Sequence, residues 1–325
     1  MSKPRLISGI QPSGRLHIGN YLGALKNFVD LQNSGKYECF FFVADYHSLT
    51  SNYDKDEKSK EINNVIKSYL IAGLDPKKSN IFIQSSILEH ANLAWILSTL
   101  APYGNLSRMT QFKEKSEKQK NNINVGLFYY PVLMASDVLL YDAKYVPVGE
   151  DQIQHLELTR NLARRFNKKF GDTLLEPKPL MTKATRIMSL NDPDSKMSKS
   201  IPNGCLFLDD SPEEINNKIS KAVTDSDLKI KFDPKKKKAV SNLIIIYSEF
   251  SGRSIKEIEY DFKDKSYADF KENLTDLLVG ELSVFRDDSI KKSRIKSTLK
   301  KGNQKAKKIA AKKLKEVKNK IGLIT

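Results

Sequence analysis

Lys196-Met197-Ser198-Lys199-Ser200 sets two lysines three residues apart among serines. Lysine ammonium groups are mobile point charges suited to phosphate oxygens. Small neighbours let the backbone come close to a ligand. Taken alone, such a run in a basic chain reads more readily as a solvated loop. A second run far upstream, His17-Ile18-Gly19-Asn20, reverses that balance. It follows Ser8-Gly9-Ile10-Gln11-Pro12-Ser13-Gly14, a tight passage from strand to helix. A helix N-terminus offers unpaired N–H groups and partial positive charge to a phosphate. Gly19 permits close approach of a base or ribose, and His17 can donate to a phosphate oxygen as charge grows on it. By itself His17 would read as a surface or capping histidine. Together the two segments suggest a site assembled around a polyphosphate.

Elements that alternate in type must position these segments. Apolar runs rich in Ile, Val and Phe predict strands over Arg5 to Ile10, Cys39 to Asp45, Asn80 to Gln84 and Lys144 to Gly149. Helical patterns fall at Ile18 to Gln32, Glu57 to Ala72, Asn92 to Leu100, Leu133 to Tyr141 and Asp151 to Phe166. Strand alternating with helix predicts an α/β fold with a doubly wound parallel sheet. Such sheets bind ligands beyond the carboxyl ends of their strands, which is where the His17 run and Gly149-Glu150-Asp151 fall. After about residue 204 the alternation stops. Ser211-Pro212-Glu213-Glu214 reads as a helix start, and helices are expected at Asn242 to Phe250, Ile255 to Phe262, Tyr267 to Leu278 and from Leu282 onward. Two domains are therefore expected, over residues 1–204 and 205–325. Asp233-Pro234 and the four lysines after it read as an exposed loop. Gly302-Asn303 reads as a break before a final helix whose Ala310, Leu314, Val317 and Ile321 form an apolar stripe.

Composition narrows the class. At 325 residues with 39% hydrophobic content, the chain can build a sizeable core. Cys39 and Cys205 share no metal-ligand spacing, which argues for a reducing compartment. No apolar run is long enough to span a bilayer, so a cytoplasmic protein is expected. The formal net charge is +16, yet residues 291–325 hold fourteen Lys/Arg and one acid, so the body is nearly balanced. A cationic face of that density suggests a polyanion, with RNA or DNA first; a solvated lysine-rich helix is the competing reading.

Ser8 to Ala24 resembles the first signature of the class I aminoacyl-tRNA synthetases, in the form typical of their tryptophanyl family. Lys196 to Ser200 matches the second signature letter for letter. Arg108 to Ser116, Met134 to Tyr141, Val146 to Arg160 and Ala222 to Asp225 with Ser241-Asn242-Leu243 also fit, so the resemblance covers nearly the whole chain. Two positions depart from the pattern: Asn20 stands where the class has His, and Ile7 stands where the family often has an aromatic residue.

The resemblance implies a Rossmann-like catalytic domain followed by an α-helical anticodon-binding domain. It implies ATP with Mg²⁺, L-tryptophan and tRNA(Trp) as reactants, and a homodimer. Lys196, Lys199 and His17 would be catalytic. Gln11, Pro12, Ser13, Gly19, Asn20, Lys115, Gly149, Glu150, Asp151, Ile187, Met197, Ser198 and Ser200 would join the lysines at ATP. Asp137 would accept the indole N–H, although on bare sequence an acid in an apolar helix is more simply a cap or ion-pair partner. Tyr130 and Gln152 would hold the α-amino group, and Met134, Val146, Val148 and His47 would wall the pocket. No protein metal site is implied. A tyrosyl enzyme, a nucleotidyltransferase of the same architecture and a non-catalytic RNA-binding relative remain alternatives.

Overall fold

The computed structural model describes residues 3–118, 123–149, 152–181, 185–227, 229–287 and 290–324. Five strands form one parallel sheet: β1 (Arg5–Ile10), β2 (Glu38–Val43), β3 (Ser79–Ile83), β4 (Tyr145–Val148) and β5 (Lys178–Met181). Their order is β3-β2-β1-β4-β5. The strand order reverses at β1, where one neighbour is β2 and the other β4, and a crevice is expected at that switch point. β2 reads ECFFFV and is buried on both faces, as a central strand under two helical layers must be. The four expected strands are all present. The fifth, β5, has no strand signal of its own, because Lys178-Pro179-Leu180-Met181 carries one charge, one proline and no β-branched residue.

The chain divides into two compact units, and neither is a single stretch of sequence. One comprises residues 1–13, 28–182 and 290–325; the other comprises 14–27 and 183–289. This differs from the expected break at 204/205. The last segment returns to the sheet-bearing unit, where the helix Lys292–Lys320 packs on β3 and on the helix Glu89–Ser98. Gly302 does not break that helix. A Cβ there would lie 1.7 Å from the Ile81 carbonyl oxygen, so glycine is what lets helix and edge strand touch. Gly302 O accepts from Asn80 Nδ2 (3.2 Å), and Asn303 Oδ1 accepts the Ile83 N–H (3.0 Å). A sheet edge that would otherwise be open is thereby closed. Ala306, Ala310 and Val317 enter the core alongside Phe82 and Leu93.

The second unit is mainly helical, and three of its helices begin on Ser capping boxes: Ser211 with Glu214, Ser254 with Glu257, and Ser266 with Asp269. The lysine run before the helix Lys238–Ser251 is not wholly exposed. Lys237 is buried, bonded to Asp225, to Tyr267 and to the Lys229 carbonyl. Its neighbouring acids hold its ammonium above the usual lysine range against the opposing effect of burial.

Candidate active site

The helix Val125–Leu139 starts at Asn124, whose Oδ1 accepts the Leu127 N–H at 3.0 Å. Tyr130, Met134 and Asp137 follow at i, i+4 and i+7 and so share one face. All three line a cavity of about 200 Å³. Its other walls come from the carboxyl ends of strands and the turns after them: Ile7 and Gly9 of β1, Phe42 of β2, Val146 and Val148 of β4, then Gln11, His47 and Gln152. The cavity thus sits at the sheet's switch point. Gly9 is required there, because a Cβ would stand 2.8 Å from the Phe42 carbonyl oxygen.

Asp137 is buried at the cavity floor and is surrounded by donors. His47 Nε2 lies 2.7 Å from Oδ2 and His90 Nδ1 lies 2.6 Å from Oδ1. Gln84 Nε2 donates to both oxygens, at 2.8 and 2.9 Å. Burial alone would push this carboxyl up, but His47 and His90 outweigh it and hold it below the ordinary aspartate range. It is therefore a carboxylate that only accepts, so both imidazole nitrogens facing it carry hydrogen. Behind His90, Tyr141 is also buried and its hydroxyl lies 2.9 Å from Nε2. Burial and the nearby Asp137 charge push the Tyr141 phenol well up, so it keeps its proton. Because one Gln84 amide nitrogen is shared between the two oxygens, a carboxylate of about four lone-pair sites still has room for a donor from a ligand. Two turns earlier on the same helix face, Tyr130 Oη lies 2.8 Å from His155 Nε2.

The second unit builds a different constellation. His17 pairs with Phe207 as an antiparallel bridge, flanked by Ile18 N–H to Leu206 O (3.0 Å) and Leu208 N–H to Leu16 O (2.9 Å). The chain then forms a hairpin, with Ser189 N–H to Ser195 O (2.8 Å) and Met197 N–H to Ile187 O (3.0 Å). Lys196 and Lys199 lie on this hairpin and its exit. Met197 is buried, so its side chain anchors the loop, while the Ser198 and Ser200 hydroxyls bond each other at 2.9 Å. Gly19 N–H donates to His17 Nδ1 at 3.1 Å, which leaves the ring proton on Nε2. Burial first, then Lys199 and Lys196, push His17 down to about 4. At neutral pH it is an uncharged N–H donor beside two cations. A Cβ on Gly19 would meet the His17 ring at 2.9 Å, so this glycine makes room for the imidazole.

The seven residues expected around an amino acid (Asp137, Tyr130, Met134, Gln152, His47, Val146 and Val148) all line the one cavity, together with Gln11. His17, Gly19, Asn20, Ile187 and Lys196 to Ser200 belong to the second unit, whereas Gln11, Pro12, Ser13 and Gly149 belong to the first. Glu150 and Asp151 lie outside the described residues, as does the side chain of Lys115. Gln84, His90, Gln111 and His155 join the site without having stood out in the sequence. Gln84 and His90 fall on stretches whose local pattern is that of ordinary core, and nothing short-range marks them.

A parallel sheet in this order in one unit, with a Gly/His turn and a lysine hairpin in the other, fits the class I aminoacyl-tRNA synthetases. A family model described as "tRNA synthetases class I (W and Y)" matches residues 1–283, and the chain belongs to that family. It is 49% identical to the tryptophan–tRNA ligase of Caldanaerobacter subterraneus subsp. tengcongensis over 98% of each chain. Among solved structures it is similar to the tryptophanyl-tRNA synthetase of Mycoplasma pneumoniae (TM-score 0.90, 37% identity, 99% of each chain). It is also similar to that of Campylobacter jejuni complexed with ADP and tryptophan (TM-score 0.84, 36% identity, 98% of this chain and 100% of that one).

Proposed function

We infer that the protein activates L-tryptophan with ATP and transfers it to the 3′-terminal adenosine of tRNA(Trp). The observation that carries this reading is the ionised Asp137 at the floor of the cavity, fixed by three side chains and still able to accept. It presents an acceptor to an indole N–H and nothing comparable to a phenyl ring. A tryptophan carboxylate oxygen attacks the ATP α-phosphorus, the bond to the bridging oxygen breaks, and pyrophosphate leaves. The carboxylate is already ionised at neutral pH, so no general base is needed, and rate comes from positioning and charge stabilisation. Lys196 and Lys199 hold the β- and γ-phosphates, and His17 Nε2–H donates to the oxygen on which charge grows. Ser198 and Ser200 hold the loop's shape. Gln11, Pro12, Ser13, Gly19, Asn20, Gly149 and Ile187 contact the nucleotide, and Tyr130 and Gln152 the α-amino group. In the second step a ribose hydroxyl of the tRNA attacks the adenylate carbonyl and AMP departs.

Mg²⁺ enters as the counter-ion of ATP, carried by phosphate oxygens and water, which suits an ion that dehydrates reluctantly. Among the described residues no His, Cys, Asp or Glu cluster is arranged as a cage, and a substrate-borne ion needs none. The helical unit is assigned to the anticodon. The exposed cations of the last helix, among them Lys301, Lys308, Lys312 and Lys315, suit the tRNA backbone. A homodimer is supported by exposed apolar side chains in the sheet-bearing unit: Leu88 and Trp95, seven residues apart and so on one face, with Tyr103 and Val125, from 62% to 80% exposed. Two buried cysteines, neither in a disulfide, suit the cytoplasm. ATP–pyrophosphate exchange tests the reading: tryptophan should drive it and tyrosine should not. Exchange with tyrosine alone would select the tyrosyl alternative, and exchange with neither would remove the ligase reading.

A further inference from the structure

The hairpin carrying Lys196 has two edges. On the inner edge Ile187 O and Ser189 N–H pair with Met197 and Ser195. The N–H and C=O of Met188 face the other way, toward the place a further strand would fill. Asn242 fills it. Its Oδ1 accepts the Met188 N–H at 2.9 Å, and its Nδ2 donates to the Met188 O at 3.0 Å. A carboxamide carries the same donor and acceptor as a peptide group, so this side chain substitutes for a strand with one residue. Asn242 is 4% exposed and rises from the helix Lys238–Ser251. At the first residue of that helix Lys238 is ion-paired with Asp194 in the turn of the hairpin. Toward the other side, Leu190 N–H bonds Gly204 O (3.0 Å), and residues 206–208 pair with 16–18. One hydrogen-bonded frame therefore runs from His17 through 204–208 and 188–190 to Lys196, and Asn242 terminates it.

We propose that Asn242 is a positioning residue for ATP activation: by clamping Met188 it fixes where Lys196 and Lys199 stand relative to His17. This rests on the reading of those three residues as phosphate ligands. Removing the amide would leave the Met188 N–H and C=O unpaired and free to be re-satisfied by hairpin movement. A shift of about 1 Å in a positioning group can reduce rate about 100-fold.

The test is Asn242→Ala in the full chain, assayed by tryptophan-dependent ATP–pyrophosphate exchange well below its melting temperature. The expected result is a loss of about 10- to 100-fold in kcat/KM for ATP, with the tryptophan Kd, measured without ATP, unchanged. Asn242→Asp keeps the bond from the Met188 N–H and sets a carboxylate against the Met188 O. It should also lose ATP turnover while binding tryptophan normally, and it serves if the alanine variant does not fold. A lowered melting temperature with unchanged kcat and KM for ATP would mean that Asn242 only stabilises the fold, and would overturn the proposal. Parallel loss of tryptophan binding would overturn it as well. Absence of exchange in the unaltered protein would count against the ligase reading instead.

Discussion

At the scale of single residues, the site depends on protonation states that its surroundings enforce. Asp137 is held ionised by two imidazoles, so Asp137→Asn keeps the shape but replaces a charged acceptor with an amide that must also place two hydrogens among donors. We expect kcat/KM for tryptophan to fall about 10- to 100-fold, corresponding to the few kcal/mol of an unpaired buried group, with KM for ATP little changed. Steady-state exchange kinetics measure both. His17 works in the opposite sense: it is held neutral. Its folded-state value of about 4 lies below the ordinary 6.5, so the unfolded chain binds the proton first. Stability from this residue is full above about pH 6.5 and is lost as pH falls toward 4. NMR titration of the His17 ring in the free protein should find no protonation between pH 8 and 6. Removing its Nε2–H with His17→Ala should lower kcat about 10²- to 10³-fold, as for other single transition-state donors, leaving the tryptophan Kd intact. A normal titration near 6.5 would contradict the neutral-donor assignment.

At the scale of elements, the last helix shows what local pattern conveys and where it stops. Gly302-Asn303 reads as a breaker because glycine and asparagine punctuate helices on local grounds. Here the glycine is used for close approach to Ile81, and the asparagine for the Ile83 N–H, across about 220 residues of chain. No local window contains that information. The same reason hides Gln84 and His90, which meet Asp137 across 53 and 47 residues. By contrast the first four strands and the capped helix at Ser211 are legible from alternation and capping chemistry, and the two segments proposed for ATP stand out by lysine and glycine spacing. The identity of the cavity residues comes through family resemblance, because an acid among Met134, Val138 and Leu139 has no indole-specific signature of its own. Gly302→Ala should destabilise the protein by about 1–3 kcal/mol or more through overpacking, read as a lowered melting temperature. Deleting the helix before Gly302 would strip the cover from β3, and both activities should fail together. The RNA role is tested instead by reversing exposed charge. With Lys301, Lys308, Lys312 and Lys315 changed to Glu, exchange should persist while tRNA affinity weakens. The salt slope of that affinity should fall by about 0.7–0.9 for each phosphate left without its cation.

At the scale of the whole molecule, the exposed apolar side chains around Trp95 predict association. Trp95→Glu should shift sedimentation from dimer to monomer, and a monomeric unaltered protein would contradict that reading. The interleaving of the two units has an effect on biosynthesis. The open side of β3 is closed by a helix that leaves the ribosome long after it, 222 residues beyond the Asn80 it meets. Until that helix emerges, the sheet would carry a bare, hydrogen-bond-ready margin, the type of surface that recruits chaperones or neighbouring chains. Nascent chains stalled just before Gly302 should therefore stay sensitive to protease, and those released after Lys320 should not.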